Sequence, residues 1–317
     1  MGDYLRELAP EGVLYIPNPG NGGDSFIAAA TFQYFHRIGL SFEVAGRDLA
    51  RTAPGRVCVY SGGGNLIAPD SRSATVLRMI APVARAVVVL PHTITNVDEL
   101  LRDLPESCHL FCRELTSYDY ARRASRRAKV LLAEDMAFRA DVDELRRRSV
   151  AVGIVSVTGE LALRVLGGTA AAPPGRAVWR VWCLPRMRRA LKPPDATGVL
   201  NCFRIDAERT DAPLPERNVD VSDLVSFGTD TEALTALGAA VFLDYIGRFR
   251  IVRTNRLHVA IAAAVLGLEV EFFSNNYYKN RAIYEMSIVG RFPKVRWVGS
   301  GDYGEGGRAK AAGLCGG

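Results

Sequence analysis

Lysine is scarce in this 317-residue chain: 40 side chains are basic, only five of them lysine and the other 35 arginine, against 34 acidic ones. The resulting charge of +6 is modest, too small to demand a polyanionic partner. The arginine clusters carry no interleaved aromatics, and no helix-turn-helix or finger spacing appears, so nucleic acid is not expected as a partner. Long apolar runs are missing as well. Val259 to Leu268, ten residues, is the longest toward the C-terminal half, against the roughly 20 needed to span a bilayer. The opening MGDYLRELAPEG is charged and lacks an apolar core segment, so no secretory signal is read there. A cytoplasmic protein is expected, with the inner face of the membrane as its furthest reach. Histidine is rare, and positions 36, 92, 109 and 258 give no metal-ligand spacing. The six cysteines form no CxxC pair and read as buried, reduced thiols.

What the chain does have is apolar bulk. Hydrophobic residues make up 48% and charged ones 23%, enough for a large core, and the length suits two domains. Short apolar runs alternate with helical patterns. Strands are expected at 12–18, 56–64, 86–94, 109–114 and 129–135, with helices over about 24–38, 72–81 and 115–127. After a stretch of weaker periodicity, strands are expected at 198–206, 250–254 and 270–273, with helices at about 230–247, 256–266 and 279–288. Continuous apolar strands alternating with helices imply parallel sheets covered on both faces. The division expected is an N-terminal Rossmann-like domain over 1–140, an interdomain region over 141–196, a C-terminal Rossmann-like domain over 197–298 and a disordered tail over 299–317, where eight of 19 residues are glycine.

Ligands of open parallel sheets bind at the carboxyl ends of the strands, and the unusual motifs sit there. Gly20-Asn21-Gly22-Gly23-Asp24 lets backbone amides approach a ligand, with Asp24 either capping the next helix or touching that ligand. It lacks the GxGxxG spacing, so a dinucleotide is not expected. Gly62-Gly63-Gly64-Asn65 reads as a close backbone approach or as a plain tight turn, and Asp70 as a helix cap or a functional carboxylate. His92, after VVVLP, is a cleft residue or a structural histidine. Arg256 and His258 fall at the start of a helix of small apolar residues, where the dipole disfavours cations. An anionic ligand or an acidic neighbour must therefore compensate. Arg204 at a strand end and Lys279 at a helix start are further anion contacts. Three basic clusters, around Arg122 to Lys129, Arg146 to Arg148 and Arg186 to Lys192, are solvated helix faces or contacts for an anionic surface.

In order and spacing, GNGGD (20–24), YSGGGN (60–65), FCRELTSYDYAR (111–122), LLAEDMAF (131–138), CFRIDAE (202–208), TNRLHVAIAAAVLG (254–267) and NYYKNRAIYE (276–285) resemble the polysaccharide pyruvyl transferase family. The likeness is nearest to the bacterial exopolysaccharide ketal-pyruvate transferases; the stretch from about 140 to 196 and the glycine tail lie outside it.

The resemblance implies a fold like the GT-B glycosyltransferases, two Rossmann-like domains whose parallel sheets face across a cleft. It also implies phosphoenolpyruvate as donor, a glycan or lipid-linked oligosaccharide as acceptor and a cyclic pyruvate ketal as product. Arginines can stabilise a departing phosphate in such a reaction, so neither a metal nor a cofactor is expected. Peripheral membrane contact would follow from a lipid-linked acceptor. By the same resemblance Arg256, Leu257 and His258, with Arg204, hold the donor, and Asp70 is the carboxylate acting on the acceptor. The chemistry separately suits His258 as the catalytic acid, since imidazole titrates near neutral pH. From their places at helix and strand ends, Lys279 is expected to join the donor contacts and Asn21, Asp24, Gly63, Asn65 and His92 to line the acceptor side. A nucleotide-sugar glycosyltransferase and a non-catalytic glycan-binding subunit are the rival readings.

Overall fold

The computed structural model describes residues 1–46, 48–147, 190–206 and 208–299. Most of the expected interdomain region, the glycine tail beyond Gly299, Cys183, Cys315 and Arg186, Arg188 and Arg189 lie outside the described residues, while Gly299, expected in the disordered tail, is the last residue of a strand. The chain divides into two compact units, one of residues 1–190 and 222–244, the other of 191–221 and 245–317. This differs from the division read from the sequence, because the chain leaves the second unit after 221 and returns only at 245.

The first unit is built on a parallel sheet of seven strands among the described residues: β1 (Val13–Ile16), β2 (Phe42–Val44), β3 (Val57–Tyr60), β4 (Gly63–Leu66), β5 (Ala86–Ile94), β6 (Cys108–Cys112) and β7 (Lys129–Leu132). Their order is β2-β1-β3-β5-β6-β7, with β4 also on β5. The chain steps outward from β1 to β2 and then crosses to the other side of β1. This reversal marks the crevice where open α/β sheets bind ligands. Its helices are α1 (Gly2–Leu8), α2 (Gly22–Arg37), α3 (Leu49–Thr52), α4 (Arg72–Ile80), α5 (Asp98–Asp103), α6 (Leu115–Ala124) and α7 (Val142–Arg147).

Side chains alternate between the two faces of a strand, and the core divides accordingly. Leu14, Cys58, Val87 and Leu110 pack with Leu77, Ile80, Leu101 and Ala121 of α4, α5 and α6. Tyr15 instead meets Phe32 and Phe35 of α2 edge to face at 5.2 and 5.3 Å. Pro91 sits inside the fully buried β5, where its missing N–H would break a ladder. The pairing to β6 slips between Val89 and His92, which accommodates it.

The three-glycine segment is not the closing turn expected after β3. β3 and β4 pair along the same strand, Val57 with Ala86 and Gly63 with His92, so the segment continues the strand past a kink. Glycine is needed there because a Cβ on Gly62 would stand 2.8 Å from the Pro91 carbonyl oxygen.

The second unit has a parallel sheet in the order β11-β10-β9-β8, formed by β8 (Val199–Cys202), β9 (Ile251–Thr254), β10 (Glu269–Phe273) and β11 (Val295–Gly299). The short α8 (Val221–Leu224) begins the excursion into the first unit, and α9 (Glu232–Ile246) lays Phe242 against Phe26 of α2 at 6.1 Å. After β9 comes α10 (Leu257–Val265), and after β10 comes α11 (Lys279–Ile283), which continues as a π-helical turn over Tyr284–Ile288. Cys58, Cys108, Cys112 and Cys202 are buried free thiols, and burial pushes Cys58 and Cys108 up to about 11 and about 12. No described helix is long and apolar enough to cross a membrane.

Candidate active site

Two polar clusters occupy strand carboxyl ends, one in each unit. In the first unit the loop after β1 and the segment after β3 meet at the sheet's point of reversal. Asn21 caps α2, accepting from the Gly23 amide at 2.9 Å, while Asp24 accepts from the Asn21 amide at 3.0 Å. The pair is a reciprocal capping box, so the cap reading of Asp24 is realised. Asn18 joins this cap to the next segment. Its Nδ2 donates to Asp24 at 3.4 Å, and its Oδ1 accepts from Asn65 at 3.0 Å and from the Tyr60 hydroxyl at 3.4 Å. The Asn65 carboxamide in turn takes the Ser73 hydroxyl and faces His92 Nε2 at 3.0 Å.

His92 is fully buried, with Nδ1 3.2 Å from the Ser61 carbonyl oxygen. Burial, reinforced by the charge of Arg113, pushes it down to about 3, so the ring is neutral near pH 7. Its Nε2 faces the Asn65 carboxamide. Gly63 lies against this group: a Cβ there would be 3.2 Å from Asn18 Nδ2 and 3.4 Å from the imidazole. Asp70 is exposed and is not the cap of α4. Ser71 is, accepting from the Ala74 amide at 3.3 Å.

In the second unit Arg204 follows β8, Arg256 follows β9, and Lys279 follows β10. They are 7%, 6% and 6% exposed, and each is paired. Arg256 directs Nε and Nη2 at Asp220, with Nε 2.9 Å from Oδ1, and Nη1 at Asp206 at 2.7 Å. Arg204 grips the same Asp206 with Nε at 2.7 Å and Nη2 at 3.0 Å, and gives Nη1 to Glu208. Lys279 donates to Glu208 at 2.6 Å. Of the two compensations open to Arg256 in the sequence, an anionic ligand or an acidic neighbour, the acidic neighbour is present.

Burial raises the carboxyls of Asp206 and Glu208, but their cations outweigh it. Arg204 and Arg256 hold Asp206 at about 2, and Lys279 and Arg204 hold Glu208 below the usual range. Burial lowers the Arg256 guanidinium, and Asp220 and Asp206 more than reverse this.

Arg256 is also the N-cap of α10, and its own side chain makes no capping bond to that helix. Leu257 is buried, while half-buried His258 stands in the first turn of that helix. Asparagines tie the strand ends together. Asn255 accepts from the Arg204 amide at 2.9 Å, and Asn280 donates to the Asn255 carbonyl at 2.7 Å and to the Phe273 carbonyl at 3.1 Å. Buried Asn275 approaches Glu208 at 3.4 Å, and its Oδ1 has no partner among the described residues.

Arg204, Arg256 and Lys279 thus converge, with His258 on the same helix start, whereas Asp24, Asn65, Gly63 and His92 form a group of their own in the other unit. Missed by the sequence reading were Asn18, Asp206, Glu208, Asp220, Asn255, Asn275 and Asn280. Asp206 and Glu208 lie within CFRIDAE and carried a signal that was readable; Asp220 lies in an irregular stretch that carried none.

A family model described as polysaccharide pyruvyl transferase matches residues 21–277. The crystal structure of a functionally uncharacterized protein from Klebsiella pneumoniae subsp. pneumoniae is similar, with a TM-score of 0.68 and 27% identity over 94% of this chain and 96% of that one. A search of curated proteins finds no match.

Proposed function

The chain belongs to the polysaccharide pyruvyl transferase family, and we propose that it moves the pyruvyl group of phosphoenolpyruvate onto two hydroxyls of a glycan sugar, closing a ketal. The observation supporting this donor is the meeting of two arginines and a lysine at three neighbouring strand ends, beside the start of α10. Phosphoenolpyruvate carries a carboxylate and a phosphate, which guanidinium forks bind bidentately.

His258, at the same helix start, protonates the methylene carbon of the enol. The adjacent carbon becomes oxocarbenium-like, and a sugar hydroxyl attacks it as its proton passes to a carboxylate, for which we assign the exposed Asp70. A second hydroxyl displaces phosphate and completes the ketal, its proton returning to the His258 imidazole that gave one up, while the arginines stabilise the departing charge. For the acceptor we assign the hydrogen-bonding group around Asn65, with Asn21, Asp24 and Gly63.

The test is label transfer: with carbon-labelled phosphoenolpyruvate, label should appear in the glycan and phosphate be released in equal amount. Transfer from a sugar nucleotide instead would establish the glycosyltransferase reading.

A further inference from the structure

We propose that Asp206 is an exchangeable counter-ion: the donor's anionic group binds Arg204 and Arg256 by displacing it, so Asp206 sets the affinity of the site for small carboxylates and phosphates. This rests on the donor reading above.

The three carboxylates of the cluster are not equivalent. Asp220 has a side chain 4% exposed, is gripped by two nitrogens of Arg256, and accepts from the Ile205 amide at 3.3 Å. Glu208, 24% exposed on its side chain, is shared among Arg204, Lys279 and Asn275. Asp206 is the open one, 42% exposed against 8% and 7% for the arginines it bridges.

It belongs to no helix or strand, so turning its side chain outward disrupts no ladder. Turned outward it meets water, where a carboxylate is well solvated, so the cost of its leaving falls on the two buried guanidinium groups, and an incoming anion compensates them. The grip that it vacates is a fork on Arg204, a third nitrogen on Arg256 and the Glu208 amide, which donates to its Oδ1 at 3.1 Å. A ligand carboxylate or phosphate reproduces those contacts in kind.

Electrostatics favour exchange over addition. Three cations already face three carboxylates, and a dianion entering beside an unmoved Asp206 would meet like charge at close range. With Asp206 turned out, the site presents two guanidinium groups already oriented by Asp220 and Glu208. Its carboxyl is held at about 2, so competition persists at neutral pH.

The experiment is calorimetric titration of the wild type, Asp206→Asn, Asp206→Ser and Asp220→Asn, each shown folded by its melting curve, with inorganic phosphate and with phosphoenolpyruvate at fixed ionic strength. Both Asp206 variants should bind inorganic phosphate about 10-fold more tightly than wild type, the low end for a charge-assisted contact discounted for solvent. Asp220→Asn should bind it more weakly, because Arg256 loses its anchor. Unchanged or weaker phosphate binding in the Asp206 variants overturns the proposal, as does the absence of any anion binding in all four proteins. If phosphate responds as expected while phosphoenolpyruvate binds to none of them, the donor reading falls and the exchangeable counter-ion stands.

Discussion

Arg256 is committed on two fronts, to Asp220 within the chain and to an anionic donor in the proposed reaction, and a double-mutant cycle separates them. The perturbations are Arg256→Met, Asp220→Leu and both together. The paired side chains are 7% and 4% exposed, and removing one member of a buried pair costs about 3–5 kcal/mol, since the other is left charged and uncompensated. Each residue keeps some support: Asp220 the Ile205 amide, and Arg256 its bond to Asp206. The low end, about 3 kcal/mol, is therefore expected for each single change. Independent effects would then sum to about 6 kcal/mol, whereas removing both charges together should cost only about 2–3 kcal/mol, a coupling of about 3 kcal/mol. Urea unfolding measures all four stabilities, with unchanged slopes confirming that the folded and unfolded states are comparable. The double variant then goes into a titration with phosphoenolpyruvate. Recovered stability with donor binding abolished is the expected result. A coupling below about 0.5 kcal/mol would refute the pair as a stabilising unit, and wild-type donor affinity in the stable double variant would refute Arg256 as a donor contact.

His258→Gln should leave phosphoenolpyruvate binding measurable while slowing product formation by a factor on the order of 100 to 10,000, the usual share of a positioned acid; equal losses in binding and turnover would assign it a holding role instead. His92 is held at about 3 when folded against 6.5 unfolded, so the unfolded chain takes the extra proton. The contribution is fully present above about pH 6.5 and is lost as pH falls toward 3, by up to about 1.4 kcal/mol per unit. His92→Gln should accordingly flatten stability between pH 6.5 and 5 by about 2 kcal/mol, and parallel pH profiles would show that the ring is not buried neutral. In Gly20→Ala the new Cβ would stand 1.8 Å from Asp24 Oδ2, forcing the carboxylate off the Asn21 amide. Loss of that cap should cost about 1 kcal/mol, seen as a lower melting temperature, and an unshifted melt would mean that Asp24 holds nothing.

The elements legible in the sequence are those whose burial is continuous. VCVY, AVVVLPHTI and CHLFC are buried at every position in the sheet, and unbroken apolar runs state that directly. The elements not read are short or polar. β2 is three partly exposed residues, α3 is one turn, and β4 is Gly-Gly-Asn-Leu, whose composition signals a turn although its pairing to β5 makes it a strand. Tertiary pairing overrides local preference there.

The candidate site divides along the same line. Arg256 at a helix start announced a need for negative charge, because the helix dipole alone makes that position costly for a cation. The residue that meets the need was not announced, since Asp220 lies 36 positions earlier in an irregular stretch and reaches Arg256 only through the fold. A local rule can state that a charge must be compensated; which carboxylate does so, and whether a ligand can take its place, depends on how deeply each one is buried. Asp220 and Asp206 contact the same guanidinium, yet one side chain is 4% exposed and the other 42%. That difference separates a fixed anchor from a replaceable one, and it exists only in three dimensions.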